Sequence, residues 1–358
     1  MNAIDLFAGA GGLSIALRDS GFRILLANEI NPVFAKTHAY NFPEVPLIQK
    51  DINDVTEDDL HAIIGDEEVD LVVGGPPCQG FSVFGNRRFV NTREYDPHQD
   101  PRNFLVYQYI RIVEILRPKF FFMENVKGFT NLDGGLFIEE VKKQFRALGY
   151  NNIWCEVVCA VDYGVPQERQ RMFMIGNRLG IEYVKPEPTH FPEGSLFTPY
   201  YTTVGDAIMD LVGLENKVPN HVPLEHKPIV AQRYAYIKEG CKLNIEDLPP
   251  ELAQATRRDA KTGKVSNYSH VFRRLDRRKP STTMVPGHNA FPVHPTLNRT
   301  LTAREAARIQ TFPDDFIFFG TRQEQCIQVG NAVPPKMAQP FLLRINDYLS
   351  EKEDSHES

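Results

Sequence analysis

Residues 5–14 read "DLFAGAGGLS". The apolar "AIDLF" (3–7) suits a strand, and the stretch after Gly12 suits a helix, so Gly9, Gly11 and Gly12 fall on a tight strand-to-helix turn. Backbone N–H groups at such a helix start favour a negative or carboxylate group, and the glycines let it come close. The spacing is not GxGxxG, and glycine-rich turns also occur with no ligand. The neighbouring strands decide between the two.

Working outward, apolar runs recur at "RILLANE" (23–29), "VPLIQKD" (45–51), "VDLVVGG" (69–75), "KFFFMEN" (119–125) and "NIWCEVVCA" (152–160). Helix-like stretches near 12–20, 32–41, 56–64, 102–117 and 134–148 separate them. This alternation predicts an α/β fold with a mostly parallel sheet covered on both faces. Between residues 150 and 178 two strands follow with no long helix between, which predicts an antiparallel strand closing the sheet edge. Glu29 ends the second strand about 20 residues beyond the turn, where an acid commonly accepts ribose hydroxyls. Asp51 ends the third strand at the same edge. Three adjacent strand ends with glycines or acids point to a nucleoside cofactor.

After about residue 180 the chain becomes rich in Pro, Thr and Tyr, as in "YVKPEPTHFPEGSLFTPYYTT" (183–203), and loses clear periodicity. It reads as a second, irregular domain. Helical patterns return in "LTAREAARIQTFP" (301–313) and "KMAQPFLLRINDYL" (336–349). The 358 residues suffice for one large or two smaller domains.

No segment approaches ~18 consecutive apolar residues, and the start shows no secretory or transit pattern, so a cytoplasmic protein is expected. Five cysteines with no CxxC pair argue against a disulfide framework and against zinc. The net charge of −6 is unevenly spread. Residues 51–70 hold nine acids and no Lys or Arg, whereas 256–279 hold nine Lys/Arg against two Asp. Steering is local within a Debye length of ~10 Å, so the basic segment suits phosphates despite the overall sign. Two solvated surfaces are the plainer alternative.

Three further stretches carry chemistry. In "GGPPCQGFS" (74–82), Cys78 follows a strand end and two prolines that fix φ and exclude helix. Buried filler and nucleophile both remain open for it. In "FFFMENV" (120–126), Glu124 ends another strand and points into the same crevice, as proton donor or as structural carboxylate. In "VPQERQRMFMIG" (165–176), Gln167, Arg169 and Arg171 alternate, so on a continuous strand they share one face.

Taken in order, "DLFAGAGG", "GGPPCQGFS", "ENVKG", "QERQR", "RTLTAREAARIQTFPDDF" and "QVGNAVPP" resemble the DNA cytosine-5 methyltransferase family, of the bacterial or phage modification type. Only about 180–270 lacks a match. The resemblance implies a Rossmann-like S-adenosylmethionine-dependent methyltransferase sheet and a smaller target-recognition domain. The expected bounds are 1–182 with 325–358 for the first and 183–324 for the second. It implies Phe7, Gly9, Ala10, Gly11, Gly12, Glu29, Ile30, Asp51, Ile52, Pro77, Leu105, Asn331 and Ala332 around the cofactor, with Glu29 on the ribose and Asp51 on the adenine amino group. It casts Cys78 as the nucleophile on carbon 6 of a flipped cytosine and Glu124 as the proton donor at N3. Arg171 would bind the base O2, and Arg169 would order the site and favour the thiolate.

The polar run 79–103 would be a lid closing on double-stranded DNA. Gln79, Ser82, Arg87, Arg88, Arg93, Arg273 and Arg274 are the expected DNA contacts. A monomer is expected, with no metal, no membrane and a separate restriction endonuclease as a partner in a restriction-modification system. Three rival readings compete with this one. A branch of the family that methylates transfer RNA usually carries Cys-Phe-Thr downstream of "ENV", where this chain has "KGFTNL". A catalytically dead DNA-binding regulator has no need of Cys78, Glu124 and Arg171 together. A nicotinamide dehydrogenase has no use for "GGPPCQG" or "GNAVPP".

Overall fold

The computed structural model describes residues 1–77, 105–195, 197–253, 272–285 and 291–357. The contacts divide the chain into two compact units. The first holds Met1–Tyr163, Gln170–Pro188 and Ala332–Ser358; the second holds Gly164–Arg169 and Thr189–Asn331.

In the first unit, strands β1 (Asn2–Leu6), β2 (Arg23–Asn28), β3 (Leu47–Ile48), β4 (Leu71–Gly74) and β5 (Phe120–Val126) run parallel. Helices α1 (Gly12–Asp19), α2 (Pro32–Asn41), α3 (Glu57–Ile64) and α4 (Leu105–Leu116) lie between them in the chain, and α5 (Leu136–Ala147) follows β5. The antiparallel pair β6 (Asn152–Cys159) and β8 (Gln170–Asn177) completes a seven-stranded sheet ordered β3-β2-β1-β4-β5-β8-β6. The later strand of the pair is thus inserted beside β5, and β6 forms the edge. β3 is shorter than its apolar run suggests, because the chain turns at Asp51 into a single helical turn.

The burial explains the apolar runs. All four residues of β4 and Phe120–Met123 of β5 are buried, as expected of strands covered on both faces. On one face Phe121 stacks on Phe145 of α5 with ring centroids 3.9 Å apart. Tyr109 of α4 donates its hydroxyl to the carbonyls of Val72 and Phe122, so this buried phenol ties β4 to β5. The closing helix α11 (Pro335–Glu357) packs on α1.

The second unit has little regular structure. Its elements include β7 (Gln167–Glu168) paired with β9 (Ser281–Thr282), and the short helices α6 (Val204–Ile208), α7 (Pro228–Ala235), α8 (Pro250–Ala253), α9 (Ala303–Ile309) and α10 (Arg322–Asn331). A small apolar cluster gathers Tyr234, Ile237, Leu243, Leu248, Leu252 and Val293. Loops this dense leave carbonyls without ladder partners, and buried arginines supply the donors. Arg304 donates to the carbonyls of Pro219, Pro313 and Phe316.

Arg274 corrects the sequence reading. Expected on phosphates, it is only 5% exposed and donates to Ile237, Tyr234, His294 and Leu297 carbonyls and to Asn298 Oδ1. Its donors are consumed inside the unit. Arg273 is half-buried in a bridge to Lys242. The remainder of the basic segment, up to residue 271, lies outside the described residues.

Candidate active site

The parallel strands all end at one edge of the sheet, and β8 begins there. The glycine turn follows β1. Phe7 takes φ 57°, Gly9 59° and Gly11 106°, so three residues of the turn lie in the left-handed region. For Phe7 that conformation is costly and marks a turn fixed by its surroundings. The glycines divide their work. A Cβ on Gly11 would lie 2.5 Å from the Phe42 ring, and one on Gly12 would lie 2.4 Å from the Val333 carbonyl oxygen. Both serve close packing. A Cβ on Gly9 would meet nothing within 4 Å, so the outer face of the turn is open.

Glu29 is tied to this turn. Its Oε2 accepts from the Gly9 N–H at 2.8 Å and its Oε1 from the Asn31 N–H at 2.7 Å. Asn31 in turn caps α2, accepting from the amides of Val33 and Phe34. Burial pushes the Glu29 carboxyl up, and these backbone amides pull it back. Asp51 holds the start of its helical turn through Asn53. Ile30 is exposed beside Glu29. Ala10 is buried within the turn, Leu105 is half-buried at the start of α4, and Pro77 is exposed. Ile52, in contrast, is buried in the core, and its carbonyl accepts from Arg111.

A nucleoside cofactor with an attached amino-acid tail fits this donor and acceptor set. Gly9 offers an open approach, and the two Glu29 oxygens keep lone pairs after taking one amide each. Among the described residues no group of His, Cys, Asp and Glu suits a metal.

At the end of β5, Glu124 is 8% exposed and its Oε1 lies 2.9 Å from Arg171 Nε. The register explains the meeting: Val126 of β5 pairs with Arg171 of β8, which brings the two side chains to one sheet edge. Burial pulls the Arg171 guanidinium below its ordinary range, and Glu124 restores part of the loss. Arg171 Nη1 also donates to the Gln170 carbonyl.

The expected alternation along 167–171 does not hold as one strand. The chain breaks at Arg169, between β7 and β8. Arg169 is fully buried and donates to the carbonyls of Met284 at 3.2 Å and Gly330 at 3.0 Å. Gln167 accepts from the Met284 amide and donates to Gln310 Oε1, while Gln310 donates on to the Val329 carbonyl. Gln167 and Arg169 thereby satisfy Met284, and Arg169 with Gln310 caps the carboxyl end of α10, next to Asn331 and Ala332. Asn331 is exposed and Ala332 half-exposed.

Two residues of the site escape sequence reasoning. A Cβ on Gly75 would lie 2.9 Å from Glu124 Oε2, so the second glycine of "GGPPC" makes room for that carboxylate. Asn125, 4% exposed, donates its Nδ2 to the Pro76 carbonyl at 3.0 Å and so fixes the chain two residues before Cys78. The doubled glycine was the available signal, because a strand end needs no second one. Cys78, Gln79, Ser82, Arg87, Arg88 and Arg93 and the expected lid lie outside the described residues.

The Gly75 contact makes a prediction. Gly75→Ala displaces the tip of a flexible side chain, so the melting temperature should hold while turnover falls by about tenfold to 100-fold. Gly74→Ala should do the opposite. Its Cβ would meet the Leu6 carbonyl at 2.8 Å and the Tyr109 ring at 2.9 Å, inside the core. That overpacking should cost about 1–3 kcal/mol in denaturant titration.

Comparison with known proteins agrees with the motif order. A family model described as C-5 cytosine-specific DNA methylase matches residues 1–346. The Type II methyltransferase M1.HphI of Haemophilus parahaemolyticus is 39% identical over 342 residues, covering 94% of this chain and 84% of its own length. M.DdeI of Desulfomicrobium norvegicum is 35% identical, with 97% and 89% covered. Among solved structures, a prophage-encoded E. coli protein described as a DNA modification methyltransferase superposes with a TM-score of 0.73 at 27% identity. That match covers 98% of this chain and 99% of the other. The S. pombe Dnmt2 methyltransferase shares the fold at a TM-score of 0.58 and 17% identity.

Proposed function

Because this chain belongs to the C-5 cytosine-specific DNA methylase family, we propose that it methylates carbon 5 of a cytosine turned out of a specific DNA duplex, through a covalent bond between Cys78 and carbon 6. The observation that carries the mechanism is the Glu124–Arg171 pair, seated over Gly75 at the strand edge that also holds the glycine turn and Glu29. The sheet unit is the catalytic domain, and the irregular unit reads the target sequence. The setting is restriction-modification, with a separate endonuclease acting on the same site.

Carbon 5 of cytosine is a weak nucleophile while the ring stays aromatic. Addition of the Cys78 thiolate to carbon 6 forms an S–C bond and moves electron density toward carbon 5 and N3. A carboxyl on Glu124 answers that density by giving N3 a proton, and Arg171 answers the O2. In the free enzyme Arg171 instead neutralises Glu124. A base entering with its O2 toward Arg171 competes for that cation, which lets Glu124 take up and deliver a proton.

Glu29, Asp51 and the Phe7–Gly9 turn would hold S-adenosylmethionine, whose sulfonium would supply carbon 5 with an electrophilic methyl group and leave as a thioether. The carbon 5 proton then leaves to solvent, the C6–S bond breaks as the C5–C6 double bond re-forms, Cys78 returns as thiolate and N3 gives its proton back to Glu124. Carbon 6 is buried in a stacked duplex, so the base must be extruded at a cost of a few kcal/mol.

Bisulfite sequencing of DNA from cells expressing the chain tests the substrate. Methylcytosine confined to one sequence context is expected. Unmethylated DNA together with methyl label in RNA would overturn the proposal in favour of the transfer RNA branch.

A further inference from the structure

Beneath the glycine turn lies a buried polar chain that the mechanism above leaves unused. Ser14 Oγ of α1 sits 2.6 Å from Asp5 Oδ2 of β1 and 2.8 Å from His38 Nε2 of α2. All three residues are fully buried. Among the described residues, Asp5 Oδ1 and His38 Nδ1 have no hydrogen-bond partner. The chain clasps the three elements that frame the turn, and the His38 ring packs at 4.8 Å on Phe42, the ring that Gly11 accommodates.

The two contacts need two protons, and the Ser14 hydroxyl has one. The second sits either on His38 Nε2, beside an ionised Asp5, or on Asp5, with His38 Nε2 as bare acceptor. An ionised Asp5 would be a buried anion with one oxygen unpartnered, and among the described residues no cation pairs with it. The other groups facing it are Glu29 at the end of β2 and the Tyr109 hydroxyl of α4, and neither favours the anion. Glu29 differs from Asp5 in having two backbone amides on its oxygens. Of the two carboxyls, Glu29 is therefore the one built to carry charge.

We propose that Asp5 is protonated and donates through Ser14 to His38, and that this uncharged chain positions the glycine turn while leaving the negative charge on Glu29, where the cofactor binds. Asp5, Ser14 and His38 are positioning residues. The inference rests on the cofactor assignment above only for its consequence, not for the proton's place.

Burial also pushes Asp5 up to about 7 and His38 down to about 4, which excludes an imidazolium near neutrality. For a carboxyl raised on folding, the associated stabilisation is complete below the unfolded carboxyl's range and is lost as pH rises through about 7. Cofactor affinity should fall as pH rises through and above about 7, where the folded Asp5 loses its proton.

Nitrogen-15 NMR of the whole chain reads the proton directly, with His38→Gln identifying the signals. Nδ1 protonated and Nε2 bare at pH 6 is expected, and a protonated Nε2 overturns the proposal. Calorimetric titration with S-adenosylmethionine reads the consequence. From pH 6 to pH 9 the wild-type affinity should weaken by about tenfold. Asp5→Asn, which keeps a donor to Ser14, should be nearly flat, and Ser14→Ala should bind more weakly throughout. An Asp5→Asn profile as steep as wild type would remove the positioning role. Absence of any cofactor binding, with Nε2 bare, would instead count against the cofactor assignment.

Discussion

Glu124→Gln should lower the methylation rate by about 10²- to 10⁴-fold, the range for losing a general acid. Glutamine keeps the shape and still offers N3 a hydrogen bond, yet it has no proton to transfer. The geometry adds a second effect. Arg171, at 2.9 Å in the wild type, loses its counter-charge in a half-dry site, where its guanidinium already lies below its ordinary range through burial. A stability loss of about 1–3 kcal/mol follows from that unpaired charge. Thermal unfolding of Glu124→Gln, run beside single-turnover methylation, separates the two. A variant that is destabilised yet turns over at the wild-type rate would leave Glu124 a structural partner of Arg171 and remove it from the chemistry. Binding of S-adenosylmethionine should be unchanged, because Glu29 and the glycine turn hang on different strands.

The sheet was legible because its code is local. "VDLVVGG" and "KFFFMEN" are apolar on both faces, and only doubly covered parallel strands require that. The glycine turn and Glu29 were legible for the same reason, since each sits at the end of its own strand. What the sequence hides depends on partners distant in the chain. Arg169 and Arg171 look equivalent in "QERQR", yet the strand is broken at Arg169, which gives Arg169 to Gly330 and leaves Arg171, inside β8, to Glu124. Arg274 looks like a phosphate ligand in a run of basic residues. Its burial is set by carbonyls at 234, 237, 294 and 297 that a loop-rich fold leaves unpaired. Charge in such a region reports the need for donors as readily as the presence of nucleic acid. Asn125 and Gly75 were hidden differently: their work is to place a neighbour, which residue type alone does not reveal.

A duplex carrying 5-fluorocytosine at the target position should capture the enzyme in a bond that survives denaturation. The reasoning is one of atoms. Once Cys78 has added to carbon 6 and carbon 5 has taken its methyl group, the thiolate is expelled only as carbon 5 loses a proton. Fluorine cannot leave as a cation, so the S–C bond persists. Mass spectrometry of the digested complex should find the nucleotide on Cys78. The other four cysteines serve as internal controls: burial pushes the Cys155 and Cys326 thiols up to about 11, leaving little thiolate near neutrality. Cys78→Ser should abolish both trapping and turnover, by at least about 10³-fold. It should leave cofactor binding and unfolding near wild type, because the prolines and the Asn125 bond to Pro76 that set the preceding chain are untouched. Trapping must be scored on a sequence the enzyme is shown to methylate. Free enzyme on such a duplex, or a nucleotide found on another cysteine, would exclude Cys78 as the nucleophile even with the family assignment intact.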